Sequence, residues 1–306
     1  MSYPLRPWQM AVGLICVCAL VVGGVIWLRQ RRQLTTPELV ASLPEGPGVL
    51  LFVNTAALRD SGVLAASLGK TVNEEPEYRN FVSQTGFDYR TDLDQALAKF
   101  TDNGVYMVVN GRFDWNSIMD YVTHSGGSCH NGFCRVQGSE PGRHISFYPL
   151  RTHVLAIAVS RSESAAEAIK PVPQKRFTDP LPPEPVWLRA PMIAIRNSEK
   201  LPAGTRQFAR ILDPADSVLF TLGNDDSGFV AGMEVDCKNA GDAAVVKTQF
   251  EDLTAMLRKM IAQESGQANP ADLSGILTGG TFERRDRHVL GRWHVPRPFF
   301  DALSAN

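Results

Sequence analysis

Residues 97–109 read LAKFTDNGVYMVV. Two runs of strand-forming residues, 97–100 and 105–109, flank Asp102-Asn103-Gly104. An Asn-Gly pair tolerates the positive φ that tight hairpins demand, so the stretch predicts an antiparallel hairpin. Residues 218–235, VLFTLGNDDSGFVAGMEV, repeat the pattern with a turn at 224–228. Two such hairpins more than a hundred residues apart predict sheets that are mainly antiparallel.

Outward from the first hairpin, residues 49–53 (VLLFV) form a continuous apolar run of strand length. Thr36-Pro37-Glu38 opens a short helix, with Thr as N-cap and Pro at the first helical position, and Pro44 and Gly46-Pro47-Gly48 stop it. Helices are expected over 56–68 and 77–84, the second ended by Gly86, and from Asp114 through 121. Strands follow at 143–148 and 153–159, then a helix capped by Ser160 or Ser162 and running to 169.

The second half echoes the first. Residues 192–195 read as a short strand matching 49–53. Asn239 or Asp242 starts a helix that places Val246, Phe250, Leu253, Leu257 and Met260 on one face. Phe282 precedes His288-Val289-Leu290 by the same six positions that separate Phe147 from His153-Val154-Leu155. We read these matches as an internal duplication. Between the halves, residues 171–191 hold seven prolines in 21 positions. Proline fixes φ and removes a backbone donor, so this segment predicts an extended connector and neither a helix nor a central strand.

Residues 11–28, AVGLICVCALVVGGVIWL, contain no charge and lie between Trp8 and Arg29, with Trp27 inside the far end. Eighteen residues at about 1.5 Å each span roughly 27 Å, enough for a thin hydrocarbon core, and Trp suits its interfaces. A cleaved signal would want small residues where Arg29, Arg31 and Arg32 stand. A lipoprotein signal would want a small residue before its cysteine, where Ile15 and Val17 precede Cys16 and Cys18. The segment reads as an uncleaved single-pass anchor. The fold class is therefore α+β: a transmembrane helix followed by two related mixed α/β units with mainly antiparallel sheets. The divisions are 1–33 for tail and anchor, 34–170 for the first unit, 171–191 for the connector and 192–306 for the second unit.

Composition narrows function by exclusion. With 31 Lys+Arg against 32 Asp+Glu the net charge is −1, which removes the electrostatic footprint of a nucleic-acid binder. Five cysteines in 306 residues exclude a disulfide-dense mini-protein, and 44% hydrophobic residues exclude a disordered chain. The richest ligand cluster is His124, Cys129, His130 and Cys134. Its spacing matches no closed zinc site. Four residues between Cys129 and Cys134 allow a hairpin-like return that brings the thiols within disulfide reach, with free thiols and a metal as alternatives. Asp88, Asp92 and Asp94 form a carboxylate cluster, read first as helix caps and second as an acid–base or calcium site. Leu68-Gly69-Lys70-Thr71 lacks the upstream glycine of a phosphate loop, since that position is Leu64, and Ser67-x-x-Lys70 lacks a supporting Lys-Thr-Gly. No cofactor, metal or catalytic set is implied. His124, His130, Asp88 and Asp92 are the site candidates to inspect.

Orientation pulls two ways. Counting positive charge, Arg6 and the amino terminus against Arg29, Arg31 and Arg32, leans toward a cytoplasmic body. The cysteine pair leans toward an oxidising compartment. The stretches LPEGPGVLLFVNTAALRDSG, EYRNFVSQTGFDYRTDLDQAL and NGRFD resemble a group of uncharacterised bacterial envelope proteins, anchored by a single pass and built from paired α+β repeats. The resemblance spans residues 40–170. It implies an inner-membrane location with the body on the periplasmic side, and it assigns no reaction. The expectation is a membrane-anchored, non-catalytic protein whose body meets another envelope protein or a ligand. The alternatives are an envelope hydrolase or a metal-binding module with an unfamiliar site.

Overall fold

The structure, a computed structural model, describes residues 34–64, 76–170, 180–196, 211–225, 228–264 and 268–303. The expected anchor at 11–28 and the Ser67/Lys70 pair lie outside the described residues. Among the described residues no helix is long and apolar enough to cross a membrane.

The body is α+β and built on a twelve-stranded sheet. Its first-half strands are β1 (Val49–Asn54), β2 (Leu93–Thr101), β3 (Gly104–Gly111), β4 (Ser128–His130), β5 (Phe133–Gln137), β6 (His144–Arg151) and β7 (Val154–Ser160). The second half supplies β8 (Val186–Pro191), β9 (Ala215–Asp225), β10 (Gly228–Cys237), β11 (Thr281–Arg285) and β12 (His288–Val295). The spatial order is β11-β12-β10-β9-β8-β1-β2-β3-β7-β6-β5-β4, with every neighbouring pair antiparallel.

The expected hairpins form. Gly104 closes β2 onto β3 at φ 147, and a Cβ there would lie 2.4 Å from the Val159 carbonyl, so glycine is required twice over. The proline-rich connector is a correction. Its last six residues form β8, which pairs with β1 on one side and β9 on the other, at the centre of the sheet. The prolines bracket a proline-free core, 186–190, and Pro191 falls at the strand's last position, where a missing donor costs least. Accordingly, residues 192–195 are no strand. They open a short helix, Met192–Arg196, that follows β8 as the helix Thr55–Asp60 follows β1. That latter helix breaks at Ser61-Gly62, residues 63–64 are helical again and the rest of the expected span, 65–68, lies outside the described residues; the segment before 169 is a single 3₁₀ turn, Ala165–Ala168.

In chain order the helices are α1 (Thr36–Ser42), α2 (Thr55–Asp60), α3 (Pro76–Thr85), α4 (Tyr89–Asp92), α5 (Trp115–His124), α6 (Met192–Arg196), α7 (Ala240–Glu264), α8 (Leu273–Leu277) and α9 (Arg297–Leu303). Side chains alternate across a strand, so the sheet has two faces. One is covered by helices along both halves. Ile118 and Val122 of α5 pack with Val109, Phe147 and Leu155, while Val246 and Phe250 of α7 pack with Val218, Val235 and Val289. Met260, expected on the buried side of α7, is exposed. Asp114 caps α5, accepting from the Asn116 and Ser117 amides.

The opposite face is treated differently in the two halves. In the first, α1 lies across it and buries Leu34, Leu39 and Leu43 against Phe52, Leu97, Val108 and Ala156. Burial of each such side chain stabilises by roughly 1.5–3 kcal/mol. Thr35, one residue before the expected cap, starts α1, and Glu38 reaches back to its amide and hydroxyl at 2.8 Å each. Two polar residues of the sheet then hold the segment by its backbone. Asn110 Nδ2 donates to the Leu34 carbonyl at 3.0 Å, and Lys99 Nζ donates to those of Pro44 (2.6 Å) and Gly46 (2.7 Å). Burial pushes the Lys99 ammonium below its ordinary range.

Candidate functional site

The registers allow the two halves to be laid over each other position by position. Phe52 and Trp187 face one another across the central β1/β8 pair, with rings stacked 5.4 Å apart. Outward from that pair, five strands each way correspond: β1-β2-β3-β7-β6 and β8-β9-β10-β12-β11. On the face beneath α1, one row across the first half reads Phe52, Leu97, Val108, Ala156, Tyr148. The matching row of the second half reads Trp187, Thr221, Gly232, Arg292, Thr281. The next row replaces Asn54, Gln95, Asn110 and Val154 by Arg189, Leu219, Glu234 and Leu290. Three of five positions in the first comparison become polar or charged and one becomes glycine.

The second-half face is an open groove of about 1190 Å³, walled on one side by residues 180–184 and floored by β9, β10, β12 and β11. Its charges are neighbours of each other. Arg285 pairs with Glu283 at 3.0 Å, and Arg287 Nη2 lies 3.2 Å from Asp236 Oδ1. His288 Nδ1 sits 3.1 Å from Glu234 Oε1 and 3.8 Å from Asp236 Oδ1, and neither contact is a hydrogen bond. Arg189 donates to the Pro180 carbonyl at 3.1 Å, fixing the wall to the floor. This arrangement suits polar contacts spread over a wide surface. Sequence reasoning passed over it. The alternation in β10 was the available signal: Ala231, Met233 and Val235 share one face with the helices, while Val230, Gly232, Glu234 and Asp236 share the other.

The residues singled out in the sequence serve structure elsewhere. Cys129 and Cys134 form a disulfide. They are directly opposite on β4 and β5, where Asn131 (φ 49) and Gly132 (φ 79) make the tight turn. Asp88 caps α4 and holds the Arg90 guanidinium at 2.6 Å. That contact, with bonds from the Arg90 amide and the Tyr78 hydroxyl, keeps the Asp88 carboxyl below its usual range, while burial pushes the Tyr78 phenol up to about 12. Asp92 accepts from the Asp88 amide and pairs with Arg112 at 3.1 Å; Asp94 pairs with Arg59 at 3.4 Å. His124 Nδ1 donates to the Asp120 carbonyl one turn back at 2.7 Å, and His130 ends β4, opposite Phe133. Among the described residues no three His, Cys, Asp or Glu side chains are placed to hold a metal ion. Cys237 is buried, and that burial pushes its thiol up to about 11, away from nucleophilic use near neutral pH.

No protein-family model matches the chain. No curated protein matches it either. Among solved structures, it is similar to "Structure of crystal form I of TP0453", at 10% identity over 89% of this chain and 99% of that one, with a TM-score of 0.49. It is also similar to "Structure of crystal form III of TP0453", at 10% identity over the same shares, with a TM-score of 0.47. At these scores the likeness does not assign the fold, which rests on the strand order and registers above.

Proposed function

We propose that this chain is a single-pass, membrane-tethered envelope protein whose duplicated α+β body is non-catalytic and binds another envelope protein through the open face of its second half. The observation that carries the reading is the unequal cover of equivalent sheet surfaces. The first half seals its row of apolar side chains under α1; the second half fills the matching row with Thr221, Gly232, Arg292 and Thr281, and among the described residues no helix lies across it. A wide, charge-alternating surface fits a polypeptide partner better than a small substrate, which calls for an enclosed pocket. Both sheet edges are blunted. β4 is three residues long, and β11 carries Glu283, Arg284 and Arg285. The open face is therefore a better contact than strand addition at an edge.

The tether is the uncharged segment 11–28. The mirrored strand order supports duplication. The Cys129–Cys134 disulfide supports a body outside the cytoplasm, on the periplasmic side of an inner membrane. The hydrolase and metal readings draw no support from Asp88, Asp92, His124 or His130, which cap helices, pair with arginines, bond a carbonyl or end a strand.

Photo-cross-linking in living cells tests the binding reading. A photoreactive amino acid at Thr281, in the groove, is expected to give an adduct of discrete mass. The same probe at exposed Gln249 on α7 should not, and Arg292→Glu should abolish the Thr281 adduct. No adduct from Thr281, or one indifferent to Arg292→Glu in a chain that still folds, removes the groove as the binding face.

A further inference from the structure

The route by which the chain enters the body fixes which end of the sheet can meet the bilayer. Leu34 is 2% exposed, and its carbonyl is held by Asn110. Asn110 pairs with Gln95 and Val154, in the row where β2 and β7 begin and β1 and β3 are ending. From there α1 runs toward Lys99, near the other end, and β1 returns. Leu34, the first described residue, therefore sits at the end marked by Asn54, Gln95, Asn110 and the β6–β7 turn. The opposite, far end carries the β2–β3 turn, Asp236 and His288.

From Leu28, the last residue of the uncharged run, to Leu34 there are six chain steps. At no more than about 3.6 Å each they reach roughly 20 Å. β2 alone has nine residues, about 30 Å at the usual rise. A tether shorter than the sheet cannot carry the body past its own entry end.

We infer that the short tether holds the body upright on the bilayer, with the β6–β7 turn and the α4 end toward the lipid headgroups, so that the Glu234–Asp236–His288 end of the groove faces away from the membrane. This rests on the tether reading under the proposed function. It adds that the binding partner approaches from the side opposite the anchoring membrane.

The test uses the full-length chain in nanodiscs containing phosphatidylglycerol and lipids with nitroxide-labelled headgroups. A fluorescent amino acid is placed at Thr152 or, separately, at Asp102, both exposed hairpin-turn positions. Quenching at Thr152 is expected to exceed that at Asp102 at least threefold. Inserting twenty Gly/Ser residues between Arg32 and Gln33 should bring the ratio close to one. Equal quenching with the native tether, stronger quenching at Asp102, or a ratio that survives the insertion each overturns the upright docking while leaving the anchor in place. A chain that alkaline carbonate strips from the lipid overturns the tether itself, and the docking with it.

Discussion

Leu97 and Thr221 occupy equivalent places in the two halves: same strand in the mirrored order, same face, same row relative to the Phe52/Trp187 stack. Leu97 is fully buried beneath α1, and Thr221 lines an open groove. The backbone plan does not decide whether a sheet face becomes core or surface. The identity of about five side chains per row does, because apolar rows attract a covering helix and charged rows refuse one. The pinning residues diverge in step. Asn110, which holds the α1 segment, is matched by Glu234, an acceptor that cannot bind a carbonyl; Lys99 is matched by Gly223.

The comparison can be broken most sharply at the matched pair itself. Leu97→Ala is expected to destabilise by about 3 kcal/mol through lost burial and the cavity left behind, whereas Thr221→Ala should stay within about 0.5 kcal/mol. Urea denaturation of the two variants reads this directly, and equal effects would mean that the second face is as buried as the first. Next comes the pin. Lys99→Met keeps the aliphatic stem and strips the donors from Pro44 and Gly46, at a cost of about 2 kcal/mol. Hydrogen exchange should quicken in residues 36–47 and leave α7 unaffected. A uniform change across the body would show that Lys99 supports more than α1.

The smallest expected effect concerns Asp88, in the first half. Asp88→Asn removes the charge that Arg90 and the α4 amide recognise, costing about 1 kcal/mol at neutral pH. The native carboxyl titrates below its unfolded value. Its contribution is therefore complete above about pH 4, the ordinary aspartate value, and fades as pH falls through the lowered folded value. The wild-type advantage over Asp88→Asn should shrink across that acid window. A constant difference from pH 7 to pH 2 would remove the Arg90 pairing as its cause.

Much of this fold could be read locally. The turns at Asn103-Gly104 and Asn131-Gly132, the apolar run at 49–53 and the caps Asp114 and Asn239 are short-range signals, and the structure uses each. β8 was hidden because its brackets are prolines and its core is only five residues. A central strand that short is recognised by its partners β1 and β9, which are remote in sequence. Met192 was misplaced for the same reason. Once β8 holds the central position, the next residues must turn away, and they do so as α6. The groove was harder still. Glu234 and His288 are far apart in sequence and meet only because β10 pairs with β12. Asp88 and Asp92 were legible as caps, but their arginine partners, particularly Arg112 twenty residues away, were not.

The central β1/β8 ladder has a consequence for how the protein is made and broken. Each half, expressed alone, would end on a bare inner strand, VLLFVN in one case and VWLRAP in the other, with its ladder groups unpaired and one stacked ring uncovered. Such margins are sticky templates for self-association. The body is obliged to complete itself in cis, and a ribosome that stalls between the two halves leaves an aggregation-prone fragment.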